Sequence, residues 1–206
     1  MRRRFRIPLT IHLICDAELP IHPELSAYLQ DLTHSGGLEI VFHGLRHTCS
    51  KDVASLGAFY HKHQAEYLDN DAGHQAATKR TFRALAHLLQ RESGICPPCW
   101  LATRENHAVF RALNPLYIET LLSLHFQDKR ITSPVLSLGS PNGVEIFFLK
   151  KLAGAIFWSS ALFGLNRVRI VIHTCDLASG SLPFFEAMIA KFNLRGFKPA
   201  LLRELG

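Results

Sequence analysis

The sequence predicts an α/β fold, a parallel sheet or barrel, on three observations. Apolar runs of strand length alternate with helical patterns along the whole chain. Leu38-Glu-Ile-Val-Phe42 runs directly into His43-Gly-Leu-Arg-His47, and Val168-Arg-Ile-Val-Ile172 runs into His173-Thr-Cys-Asp176. Strand C-termini are where such folds gather their chemistry, and right-handed crossovers would bring both histidine junctions to one face.

Taken in order, Ile7–Cys15 reads as a strand and Pro23–Thr33 as a helix with proline in its first turn, ended by Gly36-Gly37. Leu38–Phe42 is the next strand. Residues 50–72 are polar and rich in histidine, a loop with short helices lying over the junction. Gly73–Glu92 places Ala77, Phe82, Ala84, Leu85, Leu88 and Leu89 at helical spacing and stops at Ser93-Gly94. Ile95-Cys-Pro-Pro-Cys-Trp-Leu101 is a short apolar segment kept extended by its prolines, and Thr103 caps a helix through Leu113. Tyr117–Ile118, Leu121–Phe126 and Val135–Leu138 read as short strands, and Gly143–Leu165 as a helix rich in aromatic residues. Val168–Ile172 is a strand, Pro183–Phe192 a helix and Pro199–Leu202 a last strand.

Length and composition set bounds on function. A chain of 206 residues with 48% hydrophobic and 19% charged residues has enough apolar surface for one ordered domain, 1–206. The net charge of +6 is concentrated in Met1-Arg-Arg-Arg-Phe-Arg6, and no interleaving of aromatic and basic residues follows. Specific nucleic-acid recognition is therefore not expected. The five cysteines, at 15, 49, 96, 99 and 175, do not form a secreted disulfide framework. Pro8, His12 and Asp16 interrupt the apolar start, which is no signal peptide. The longest apolar run, Leu152–Leu165, falls short of a membrane span. The expected setting is cytoplasmic.

His43 and His47, four residues apart just beyond a strand, can turn into one cleft and share a metal ion. The Cys96-Pro-Pro-Cys99 spacing admits three readings: a redox pair, two buried thiols, or half of a closed Cys₂His₂ zinc site with His43 and His47. His61, His63, Glu66, Asp69 and Asp71 form either a solvated loop or a lid.

The order of these features resembles the polysaccharide deacetylase (NodB-like) superfamily and, within it, the DUF2334 branch. The residues that carry the likeness are Glu39-Ile-Val-Phe-His-Gly-Leu-Arg-His47, Gly94-Ile-Cys-Pro-Pro-Cys-Trp-Leu101 and Val168-Arg-Ile-Val-Ile-His-Thr-Cys-Asp176. The resemblance implies a distorted (β/α) barrel of about seven parallel strands. It also implies a divalent metal, usually zinc, and hydrolysis of an N-acetyl group on a sugar or related amide. On that pattern His43 and His47 are metal ligands and His173 is the general acid. Pro98 and Trp100 match the groove wall, and Asp176 after His173 either serves the substrate side by orienting that imidazole or binding solvent, or caps the following loop.

The family pattern begins with a strand ending in two adjacent aspartates, a base and a third ligand. Here Asp16 stands alone after the first strand, with Glu18 nearby. Either Ile7–Cys15 is that motif strand and Asp16 serves as ligand and base, or it is the second strand and the first is absent. Two histidines hold zinc poorly by themselves, so Asp16, Glu18, Glu66 or water would complete the site. A non-catalytic metal- or carbohydrate-binding module on the same fold is the alternative. A missing first strand would leave an open sheet edge and favour a homo-oligomer.

Overall fold

A computed structural model describes residues 7–15, 22–48, 65–85, 93–137, 155, 167–173 and 182–206. They fall into two compact units, residues 2–131 with 200–206 and residues 132–199.

The larger unit is built on a twisted row of short strands. β1 (Leu9–Leu13) pairs in parallel with β2 (Leu38–Phe42), Leu9 opposite Leu38 and Leu13 opposite Phe42. The crossover carries α1 (Pro23–His34), which starts at its proline and ends before Gly36 at φ 74°. Beyond β2, Ile95 acts as a strand one residue wide, bridged in parallel to Phe42 on one side and to Ile118 on the other. Its neighbours complete the ladder: Cys96 N–H donates to Phe42 O at 2.9 Å and Glu119 N–H to Ile95 O at 2.8 Å. β3 (Tyr117–Glu119) then pairs antiparallel with β4 (Ser123–Phe126), and β5 (Arg130–Thr132) follows beside β4.

Strand alternation divides this row into two faces. Leu9, Ile11, Leu13, Leu38, Ile40, Phe42, Ile95 and Ile118 share one apolar cluster with Leu29 and Leu32 of α1. Phe82 of α2 (Ala72–Ala84) and Phe110 of α3 (Arg104–Ala112) join it. Each helix has a side-chain N-cap: Asp71 accepts from Gly73 N–H, and Thr103 from Asn106 N–H. The opposite face presents Thr10, Glu39, Val41, Cys96, Tyr117 and Glu119. Part of it is covered by Leu202 and Leu205 of the closing 3₁₀ turn, Leu202–Leu205.

In the smaller unit β6 (Val135–Ser137) pairs in parallel with β7 (Arg169–Val171). α4 (Leu182–Leu194) packs Phe185, Met188 and Phe192 against Leu136, with Val168, Ile170 and Ile172 alongside. Arg169 is buried and donates through Nε and Nη2 to Ser133 O at 2.8 and 2.7 Å.

This architecture corrects the predicted (β/α) barrel and, with it, the resemblance to the polysaccharide deacetylase superfamily and its DUF2334 branch. Among the described residues the strands form small sheets of two, three and two, partly parallel and partly antiparallel, that do not close. The cause is local. Only Thr120-Leu-Leu122 joins β3 to β4, far too little chain for the crossover that a parallel neighbour needs.

β5 was not expected from the sequence, and Pro199–Leu202 is not a strand. The expected helix Gly73–Glu92 is described only as far as Leu85, and the expected helix Gly143–Leu165 and most of the loop 50–72 lie outside the described residues. No described helix is long and apolar enough to cross a membrane.

Candidate metal centre

The polar face of the larger unit gathers donors from separate elements at the C-terminal ends of its parallel strands. His12 comes from β1, His43 follows β2, Cys96 follows the Ile95 bridge, and Glu119 closes β3. One ligand atom each from His12, His43 and Cys96 lies within 4.8 Å of the others, a group able to hold a metal ion. Register produces it. His12 stands opposite Val41, so its side chain shares the face from which His43 projects.

Hydrogen bonds fix the ring of His43. Its Nδ1–H donates to Cys96 O at 2.7 Å, which leaves the Nε2 lone pair as the ligating position. Burial, with His12 close by, pushes the His43 pKa down to about 3, so the imidazole is neutral near pH 7. The His12 ring lies 5.0 Å from the His43 ring, and His12 Nε2 is 3.0 Å from Glu119 Oε1. Cys96 is fully buried. Two imidazoles and one thiol form a donor set able to hold a metal ion.

His47 touches the group through His43, Nε2 to Nε2 at 3.2 Å, but is not one of its three members. Its backbone is left-handed, φ 54°, an uncommon state for a residue with a side chain. Glu66 holds that loop in place. Leu45 N–H donates to Glu66 Oε1 at 2.8 Å, and Arg46 and His47 N–H to Oε2 at 2.8 and 2.6 Å. Gly44, at φ 106°, lets the backbone lie against this carboxylate, since a Cβ there would stand 2.9 Å from Glu66 Cδ. With both oxygens engaged by amides, Glu66 is a loop anchor in this structure, whereas the sequence admits it as a ligand.

Pro98 is buried beside Gly44, its Cγ 3.2 Å from where a Gly44 Cβ would lie. Cys99 and Trp100 follow with left-handed φ of 56° and 58°, and Trp100 Nε1 is buried without a hydrogen-bond partner among the described residues. Three strained residues, His47, Cys99 and Trp100, therefore flank one loop pair, a pattern associated with functional sites. Cys15, Cys96 and Cys99 are in no disulfide, and burial raises the thiol pKa of Cys99 to about 11 and of Cys15 to about 12. Neither of those two is an activated nucleophile.

Beyond the metal group, a second buried carboxylate crosses the same face. Glu39 accepts from Tyr117 Oη–H at 2.7 Å, Thr10 Oγ1–H at 3.2 Å and Leu202 N–H at 2.9 Å. Burial raises its pKa, an effect only partly offset by the Tyr117 hydroxyl, the Arg203 backbone N–H and the Thr10 hydroxyl.

Of the residues expected from sequence, His43, His47, Pro98 and Trp100 fall in this region. His173 lies in the smaller unit just beyond β7, its Nδ1 3.5 Å from Ser137 Oγ. Asp16, Glu18 and Asp176 lie outside the described residues. Sequence reading passed over His12, Cys96 as a partner of His43 alone, and Glu119. The available signal was polar residues alternating with apolar ones in Leu9-Thr-Ile-His-Leu13 and Tyr117-Ile-Glu119.

No family model matches the chain, and searches of curated proteins and of solved structures found no match. The resemblance to the deacetylase family therefore has no support from these comparisons.

Proposed function

We propose that this chain is a metal-dependent hydrolase whose divalent ion, zinc by donor type, is held by His12, His43 and Cys96. The observation that carries the reading is the mutual approach of these three donors within 4.8 Å from three separate segments. Three protein donors leave a coordination position open, the feature that separates catalytic from structural zinc sites. When bound, such an ion supplies Lewis-acid chemistry to a carbonyl substrate.

The chain's own residues supply the rest. His43 is neutral and its ring orientation is fixed by the Cys96 carbonyl. His47 Nε2, adjacent to His43, can carry a proton to or from a bound group. Pro98, buried beside Gly44, and the partly buried Trp100 form an apolar backing to the His43–His47 loop. Small amides and esters, N-acetyl compounds among them, are the substrate class that fits this chemistry.

A non-catalytic metal-binding module is the second reading. It is favoured by the same His43–His47 contact, since a small shift of His47 would add a fourth donor and close the site.

The test is elemental analysis of the purified chain and of His12→Ala, His43→Ala, His47→Ala and Cys96→Ser variants, followed by a hydrolysis screen of the loaded wild type. One ion per chain, lost in the first, second and fourth variants and kept in the third, together with turnover, supports the hydrolase. Loss in all four without turnover supports the closed module, and an unloaded wild type after zinc is supplied refutes both.

A further inference from the structure

We infer that Glu119 is a positioning residue that holds His12 in the tautomer and ring orientation needed to bind the ion, without ligating it. The inference rests on the metal centre proposed above and assigns its outer partner.

Glu119 is 1% exposed, at the end of β3, and its carboxylate is 3.0 Å from His12 Nε2. The pairing is an electrostatic contact and not an aligned hydrogen bond, and a buried carboxylate at that distance favours a proton on Nε2. The lone pair then sits on Nδ1, and the ring becomes a better donor. His43 shows the same logic with a backbone acceptor: Nδ1–H on Cys96 O, Nε2 left to ligate. Each imidazole thus has one nitrogen set against a protein acceptor; the other nitrogen of His43 faces His47 Nε2 at 3.2 Å, a contact that a bound ion would replace.

Chain geometry makes the pairing more than a chance contact. Glu119 N–H donates to Ile95 O at 2.8 Å, and Cys96 N–H to Phe42 O at 2.9 Å. Glu119, Cys96 and His43 are therefore tied through one ladder across the Ile95 bridge, and His12 joins it through the β1–β2 register. The mutually close ligand group contains His12, His43 and Cys96 and leaves Glu119 out, as expected of a residue acting through His12.

The experiment is a cobalt(II) titration of the full chain, followed by absorbance. Wild type, Glu119→Gln, His12→Ala and the double variant are compared, with circular dichroism to verify folding. Glu119→Gln keeps the size of the side chain and an acceptor oxygen but removes the charge. It should weaken cobalt binding about 10–100-fold, the usual cost of losing an outer partner. The cysteine-to-cobalt charge-transfer band should persist, because Cys96 still ligates. In the His12→Ala background the same change should add nothing.

Equal weakening in both backgrounds would mean that Glu119 ligates directly or acts only on stability, and overturns the inference. Unchanged affinity in Glu119→Gln overturns it as well. A wild type that takes up no cobalt overturns the metal centre and this inference together. If Glu119→Gln does not fold, Glu119→Asp, which keeps the charge but shortens the reach, is read in the same cycle against the same outcomes.

Discussion

Replacing Gly44 by alanine measures how firmly the His43–His47 loop is held. Gly44 has φ 106°, and an added Cβ would lie 2.9 Å from Glu66 Cδ and 3.2 Å from Pro98 Cγ. Neither neighbour yields easily. The Glu66 carboxylate is held by three backbone N–H groups, and Pro98 is buried. The backbone conformation alone costs a non-glycine residue about 1–3 kcal/mol. Displacing Glu66 far enough to break one charge-assisted hydrogen bond adds roughly 1.5–3 kcal/mol. The total, about 2.5–6 kcal/mol, is a large share of the 5–15 kcal/mol that stabilises an ordinary domain.

Gly36→Ala is the control. Gly36 also has positive φ, 74°, but nothing lies within 4 Å of an added Cβ, so only a backbone cost of roughly 1 kcal/mol remains. Urea unfolding of both variants, with cobalt affinity measured beside it, reads the difference. Gly44→Ala should lose more than twice the stability lost by Gly36→Ala and should bind cobalt more weakly. Equal losses would refute the view that the Glu66 cradle holds the loop.

Three further outcomes follow from the same structure. Glu66→Gln replaces an accepting oxygen with a donor facing backbone N–H groups and should cost roughly 1.5–3 kcal/mol in urea unfolding; a loss under 0.5 kcal/mol would contradict the anchor role. Thr103→Ala removes the cap of α3 and should cost about 1 kcal/mol by the same assay, with no change in cobalt affinity. Acidification should weaken the metal-free protein: burial with His12 lowers the His43 pKa, and burial with nearby arginines lowers those of His107 and His125. Below the ordinary 6.5 the unfolded chain takes up protons that these folded histidines refuse. Their contribution is thus full above 6.5 and declines on acidification by at most about 1.4 kcal/mol per pH unit per group. A urea midpoint at pH 5 equal to or above that at pH 7 would contradict this.

The parts of the fold legible in the sequence were those fixed by local chemistry. Pro23 and Gly36 mark the ends of α1, Thr103 caps α3, and Leu38–Phe42 is apolar except for Glu39 because both its faces are covered. The antiparallel turn at Thr120-Leu-Leu122 escaped because it contains no Gly, Asn or Asp to announce a hairpin. Ile95 escaped as a strand because a single residue has no period. For the candidate site, His43 was legible from its place after a strand, whereas His12 and Cys96 become its partners only through register, which no local pattern specifies. Glu66 drew attention as a possible ligand because acidity is visible in a sequence; which atoms it accepts from is not.

The bond between Leu202 N–H and Glu39 joins residues 163 positions apart. At a synthesis rate of roughly 5–20 residues per second, Glu39 is made about 8–33 s before Leu202. His12, His43, Cys96 and Glu119 have all emerged well before then. A nascent chain can thus bring these four residues together while the sheet's polar face is still uncovered, and residues 201–205 arrive last to cover part of that face.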